Sequence, residues 1–181
     1  MTATDSLRHE HDIILYVLEA ARNEGRLIQD DSRIDRVKID QIIDFCRNFI
    51  DACHHGKEEN YLFIKLQERG LPRESGPLAV MFMEHAEGRR RLQTLATNLA
   101  QTEPGETLAR EKIAGDIFGY VDLLRQHIAK ENTILFPMAD KLLSTADHQE
   151  LLTGFEAHES KVMGPGVHEK YHQLAHELGK G

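Results

Sequence analysis

Two ten-residue stretches of this chain are near copies of each other, and both combine an imidazole with a carboxylate. They are residues 54–63 (HHGKEENYLF) and 127–136 (HIAKENTILF), which share His, Lys, Glu, Leu and Phe at the same offsets. Each contains His-x-x-x-Glu, and residues i and i+4 of a helix lie next to each other on one face. Two such helices can bring imidazoles and carboxylates together as ligands of a metal ion.

The elements that must position these groups are helices, because the apolar residues recur with a period of about 3.6 and not 2. The first helix has Asp5 or Ser6 as its predicted N-cap, and 24–33 is expected to be an exposed polar loop. Pro137 should kink or end the fourth helix. The predicted helices cover 5–23, 35–69, 76–101, from about 106 past Pro137, 144–162 and 167–178.

Four long helices with short connections predict an all-α fold, an antiparallel up-down-up-down four-helix bundle. One or two extra C-terminal helices follow it. We therefore expect the bundle over 1–143 and a helical extension, packed on the bundle, over 144–181.

Each long helix places one histidine in the middle of its apolar stripe. A single histidine on such a face is more often a core residue with a hydrogen-bond partner than a ligand. Several buried polar groups without partners would instead cost about 1–3 kcal/mol each, against a total stability of about 5–15 kcal/mol. Metal coordination removes that cost. The predicted ligands are His11, His54, Glu58, His85, His127 and Glu131.

Imidazole and carboxylate ligands suit Fe, Mn or Zn, and six ligands exceed the three or four typical of one zinc ion. Two ions, with Glu58 and Glu131 able to bridge them, fit this number. His55 and Glu59 form a second His-x-x-x-Glu, but only the register of His54 and Glu58 aligns the following Leu-Phe with residues 127–136. We therefore prefer His54 and Glu58, with His55 and Glu59 on the neighbouring flank.

The tail contains His168-Glu169-x-x-His172, which matches the zinc-hydrolase signature His-Glu-x-x-His. Few residues follow it, and no strand that could hold a peptide is predicted before it. An amphipathic closing helix is the favoured interpretation. In an intermediate one, His168 or His172 reaches the bundle and adds a ligand or a supporting contact.

The composition excludes several functions. A formal charge of −8 argues against nucleic-acid binding. No run of about 18 apolar residues is present, so no membrane span is expected, and the N-terminal residues do not predict a signal peptide. Cys46 and Cys53 are expected to be free thiols, so the predicted location is the cytoplasm.

The motifs Glu10-His11, HHxKE at 54–58, Glu84-His85 and HxxKE at 127–131 resemble those of the hemerythrin-like family, the HHE cation-binding domains. The resemblance extends from Leu7 to about Asp140. It implies a four-helix bundle with two non-haem iron ions and a bridging oxygen ligand, held by the six residues predicted above. Mn or Zn could replace iron in such a site.

The chain departs from the oxygen-carrying members in two places. Their third helix has a second histidine four residues after the first, where this chain has Arg89, and their fourth helix has Asp at i+5, where this chain has Glu131 at i+4. This argues against oxygen transport. We expect a protein that binds or reacts with O2, peroxide or NO, in oxidative or nitrosative stress or in iron handling.

Three possibilities remain open. The reaction could be peroxidase-like, catalase-like or directed at NO, with a redox partner. Alternatively the chain is a non-enzymatic sensor of iron or oxygen, or a metal-binding module. A zinc hydrolase built on His168 and His172 is the minor alternative.

Overall fold

A computed structural model describes residues 1–31, 34–102, 107–164 and 166–178, which form helices and contain no strand. The α-helices are α1 (Ala3–Asp31), α2 (Arg36–Phe45), α3 (Phe63–Glu68), α4 (Gly76–Gln101), α5 (Thr107–Lys130), α6 (Phe136–Leu142), α7 (Thr145–Val162) and α8 (Val167–Leu178). π-helical turns join α2 to α3 over Cys46–His55 and Glu58–Leu62, and α5 to α6 over Glu131–Leu135. The predicted all-α four-helix bundle is confirmed, with α1, α2–α3, α4 and α5–α6 as its four rods.

The bundle core consists of two apolar clusters separated by a polar layer. One cluster takes its bundle residues from 13–28, 39–50, 92–99 and 113–128. The other takes them from 3–7, 62–66, 78–81 and 135–143. In every rod the predicted ligands fall between the two clusters, except that His127 lies beside Ile128 at the end of the first cluster. Apolar packing on both sides thus holds the polar groups at one level of the bundle.

Helix α1 is longer than predicted at both ends. Thr2 is the residue that caps its start, since the Thr2 Oγ1 accepts a hydrogen bond from the Asp5 amide at 3.1 Å and the Asp5 carboxylate accepts one from the Thr2 amide at 2.8 Å. The prediction of an exposed loop from Glu24 was wrong. Ile28 is buried in the core, and Glu24 pairs with Lys38 at 2.8 Å, so the last turns are anchored. Arg33 lies outside the described residues.

Pro137 does not end the fourth rod. It lies in the first turn of α6, directly after the π-helical turn of Glu131–Leu135. Proline has no N–H to donate, and a π-turn already departs from the regular i→i−4 pattern of hydrogen bonds. The helix therefore continues to Leu142. The predicted start near Glu106 lies outside the described residues.

Helix α7 packs closely on the α2–α3 rod because each side of the contact contributes a glycine, Gly56 from the rod and Gly154 from α7. A Cβ on Gly56 would lie 2.3 Å from the His158 Nε2, and one on Gly154 would lie 2.5 Å from the Tyr61 ring. The His158 ring also lies 2.9 Å from the Ala52 carbonyl, within hydrogen-bond distance. Helix α8 follows against α1. The division into 1–143 and 144–181 stays a prediction.

None of the helices described here combines the length and apolar character needed to cross a membrane.

Candidate metal centre

The structure brings all six predicted ligands together in the polar layer. Each is at most 1% exposed, and they come from all four rods. They fall into two groups in which the candidate ligand atoms lie within 4.8 Å of one another. The first group contains His11, His54, Glu58 and Glu131, and the second contains His55, His85, His127 and Glu58.

The imidazoles meet in pairs through their Nε2 atoms. The His11 and His54 Nε2 atoms are 3.0 Å apart, and those of His85 and His127 are 3.1 Å apart. Imidazole nitrogen binds a metal ion at about 2.1 Å, so two of them at right angles on one ion would also be about 3 Å apart. The spacing fits two nitrogens that share an ion.

The opposite nitrogen of each of these rings faces an oxygen. The His54 Nδ1 lies 2.8 Å from Glu10, the His85 Nδ1 2.7 Å from Glu59 and the His127 Nδ1 3.0 Å from Glu84. The His11 Nδ1 lies 2.9 Å from the Asn132 Oδ1. Because an ionised carboxylate only accepts hydrogen bonds, each Nδ1 facing one carries the proton. The Nε2 lone pair of a neutral ring is then free to bind a metal ion, as in carboxylate–histidine–metal triads.

The two central carboxylates extend across both groups. The Glu131 Oε2 lies 3.2 Å from the Nε2 atoms of His11 and His127. The Glu58 oxygens lie 3.7 Å and 3.4 Å from the Nε2 atoms of His54 and His85. All four carboxylate oxygens are buried without a hydrogen-bond partner. Such orphaned oxygens are costly, and two bridged cations would satisfy them.

The charges of the buried side chains also favour a positive ion in the polar layer. Burial and the charge of Glu131 raise the pKa of Glu58 well above its usual value. Burial opposes ionisation of Glu131 as well, but His127 and His11 outweigh it and hold that pKa well below the usual range. Burial likewise opposes the charged form of His127, yet Glu131 and Glu84 raise its pKa to about 9. The carboxylates thus draw a proton into the layer, and a metal cation can take that proton's place.

Two lysines support the carboxylates that hold the imidazoles. The Lys57 Nζ lies 2.6 Å from the Glu10 Oε1, and Lys130 makes the same contact with Glu84. We call His54, Glu10 and Lys57 the Lys57 arm. His127, Glu84 and Lys130 form the Lys130 arm. The sequence contained the signal, because Lys is one of the five matching positions of the two stretches, but its role was missed.

His55, which the sequence placed on a neighbouring flank, lies inside the second group. It is buried, its ring stacks on that of His85 at 3.8 Å, and its Nδ1 has no hydrogen-bond partner. Arg89 donates to Asp51 at 2.6 Å and to Glu59 at 2.8 Å. Glu59 thereby supports His85 and is not part of either group. The second group therefore has three imidazoles and the first has two.

The tail histidines lie outside both groups. The His168 Nε2 is 3.7 Å from the Glu10 Oε1, so α8 reaches the Lys57 arm. The rings of His168 and His172 are 4.5 Å apart, yet no metal-ligating group among the described residues contains both of them. Glu169, the base of the hydrolase signature, is exposed.

Comparison with known proteins also indicates a cation-binding domain. The family model "Hemerythrin HHE cation binding domain" matches residues 2–139. An uncharacterized protein of Mycobacterium tuberculosis is 25% identical over 164 residues, 91% of this chain and 64% of that protein. The iron-sulfur cluster repair protein YtfE of Escherichia coli is 33% identical over 90 residues, 49% of this chain and 41% of that protein.

The chain thus covers less than two thirds of the length of these relatives. No solved structure matched it. The match to the family model covers all four rods and both buried groups, which are consistent with a two-metal site. The chain belongs to the hemerythrin HHE cation-binding domain family.

Proposed function

We propose that the chain holds two iron ions in this centre and uses them to react with O2, peroxide or NO. The observation that carries the proposal is the pairing of Nε2 atoms around buried carboxylate oxygens that have no hydrogen-bond partner. The absence of thiolate and the mixture of imidazole and carboxylate suit iron. The Escherichia coli relative is named an iron-sulfur cluster repair protein, which associates that protein with iron.

The first ion would be held by His11 and His54, and the second by His55, His85 and His127. Glu58 and Glu131 would lie between the two ions. Bound iron supplies one-electron redox chemistry and positions for a small exogenous ligand.

The chain itself orients the rings and limits access. Phe136 stacks on the His11 ring at 5.3 Å, and Phe63 stacks on the His85 ring at 5.7 Å. Both phenylalanines are fully buried. The six predicted ligands are at most 1% exposed, so the centre suits a diatomic molecule or peroxide better than a large organic substrate.

Metal analysis of the iron-loaded protein tests the metal site. We expect two irons per chain, a loss on His54→Ala or His127→Ala, and full retention on His172→Ala. One zinc ion per chain that is lost on His172→Ala and retained on His54→Ala would contradict the proposal and favour the hydrolase.

Stopped-flow mixing of the ferrous protein with peroxide or NO tests the reaction. Repeated consumption of either reagent in the presence of a reductant is the expected result. Tight binding without turnover would contradict the reaction and favour a sensor or a metal-binding module.

A further inference from the structure

The Lys57 arm and the Lys130 arm make the same contacts but differ in their surroundings. The Lys57 side chain is 3% exposed, whereas that of Lys130 is 36% exposed. Glu10 and Glu84 differ in the same direction, at 5% and 15%. The difference comes from α7 and α8, which lie over the Lys57 arm.

Two residues of these helices contact the Lys57 arm directly. The Glu159 Oε2 of α7 lies 2.8 Å from the Lys57 Nζ. The His168 Nε2 of α8 lies 3.7 Å from both the Glu10 Oε1 and the Glu159 Oε2, and it is buried without a hydrogen-bond partner. Lys57 is thus clamped between Glu10 and Glu159, with His168 against the pair.

Glu10, Glu159 and His168 are close enough together to hold a metal ion. The position is already filled, however, because the Lys57 ammonium lies within 2.6 Å and 2.8 Å of the two carboxylates. A divalent cation would have to displace it or lie beside a like charge. This cluster is therefore better suited to hold the arm in place than to bind a third ion.

We propose that Glu159 and His168 are positioning residues that lock the Lys57 arm and so slow the loss of metal from the first group. The proposal rests on the proposed two-metal centre. Glu159 fixes Lys57, Lys57 occupies one oxygen of Glu10, and the other oxygen of Glu10 holds the His54 Nδ1. The His54 Nε2 is thereby kept aimed at the metal position. Among the residues that the structure describes, no second carboxylate holds Lys130 in this way.

The expected effect follows from known supporting contacts. Loss of a group that directly holds a metal-bound histidine typically costs about 10–100-fold in metal affinity. Glu159 acts one contact further out, so we expect Glu159→Gln to accelerate metal release from the first group about three- to tenfold. His168→Ala should act in the same direction and more weakly, since its contacts are longer.

The experiment is the release of Fe2+ from the anaerobically loaded full chain to a coloured ferrous chelator. We expect two phases of equal amplitude, one for each ion. Glu159→Gln should accelerate one phase, and Glu84→Gln, which removes the group that holds His127, should accelerate the other. A general loss of stability would accelerate both phases, so the acceleration of a different phase by each variant distinguishes a positioning role from a structural one.

Glu150→Gln is the matched control. Glu150 lies on the same helix and pairs with Lys65 at 3.0 Å, but it contacts neither arm and is largely exposed. We expect both of its phases to match those of wild type. Equal acceleration of both phases by Glu159→Gln, no acceleration, or the same effect from Glu150→Gln would overturn the lock. A wild-type chain that binds fewer than two irons would instead overturn the two-metal centre.

Discussion

The two arms of the centre show how one short motif acquires two different environments. Each arm consists of a histidine, the glutamate that holds it and the lysine that holds the glutamate. One arm lies under α7 and α8, and the other borders solvent. The lesson is that the local motif determines which atoms converge, whereas helices outside the four rods determine how firmly each half is held.

The largest expected effect comes from Glu58, which belongs to both groups and so joins the two halves. We predict that Glu58→Gln abolishes the binding of both proposed ions, because a neutral amide lacks the charge of the carboxylate that would lie between them. Metal analysis after iron loading checks this.

The metal-free protein should respond differently. When no metal is bound, burial and the charge of Glu131 raise the pKa of Glu58 well above its usual value, so its neutral form is favoured over the ionised one more strongly than in an exposed glutamate. A neutral amide of the same shape should therefore leave the Tm of the metal-free protein unchanged or higher. A lower Tm would show that the ionised carboxylate stabilises the empty fold.

The next effect compares the arms directly. In metal-free protein, Lys57→Met leaves Glu10 buried without its cation and should cost about 3 kcal/mol or more of the free energy of unfolding. Lys130→Met removes a pair whose lysine is about one third exposed and should cost below about 1 kcal/mol. Urea unfolding of both variants gives the two values. Equal costs would show that burial under α7 and α8 does not distinguish the arms.

A smaller loss of stability should follow from disturbing the packing of α7 and α8, the cover of the Lys57 arm, without changing a residue of either arm. Gly154→Ala forces a Cβ to 2.5 Å from the Tyr61 ring, and such overpacking costs about 1–3 kcal/mol. The control is Gly115→Ala in α5, where a Cβ meets nothing within 4 Å and should add about 0.5–1 kcal/mol of stability. Thermal unfolding checks both signs. A neutral Gly154→Ala would show that α7 can move away at no cost.

The smallest effect concerns the two buried thiols. Burial raises the pKa of Cys46 and of Cys53 to about 12, from a reference value of 9.0. The thiolate is the reactive form, so alkylation of the folded protein should be on the order of a thousandfold slower than that of an exposed thiol. Cys53 lies beside Lys57, whereas Cys46 lies in the core of the bundle.

Mass spectrometry of alkylated protein therefore reports on each region separately. Gly154→Ala should accelerate labelling of Cys53 more than that of Cys46. The opposite order would place the weak point of the fold in the bundle rather than in its cover.

Much of this arrangement could be predicted from the sequence. The 3.6-residue period placed one histidine on the inner face of each rod, and the repeated Leu-Phe after each His-x-x-x-Glu aligned Glu58 with Glu131. The structure confirms the helical bundle and brings these side chains together, because the ligand positions follow the same periodicity as the core that surrounds them.

The parts that were missed depend on departures from regular geometry or on distant contacts. His54 and His55 both face the interior because they end a π-helical segment, in which successive side chains turn by less than the ~100° of an α-helix. The alignment of the two repeats selects only one histidine of this pair, so it placed His55 on the neighbouring flank. Similarly, the contact of Glu159 with Lys57 joins residues far apart in the chain, so no local sequence pattern predicts it.

The most direct test of the two-metal centre is an anomalous difference map from crystals of the iron-loaded protein, recorded at the iron edge. The account predicts two peaks per chain in the polar layer, one beside the Nε2 atoms of His11 and His54 and one beside those of His85 and His127. A single peak in that layer, or a peak held by His168 and His172, would contradict it.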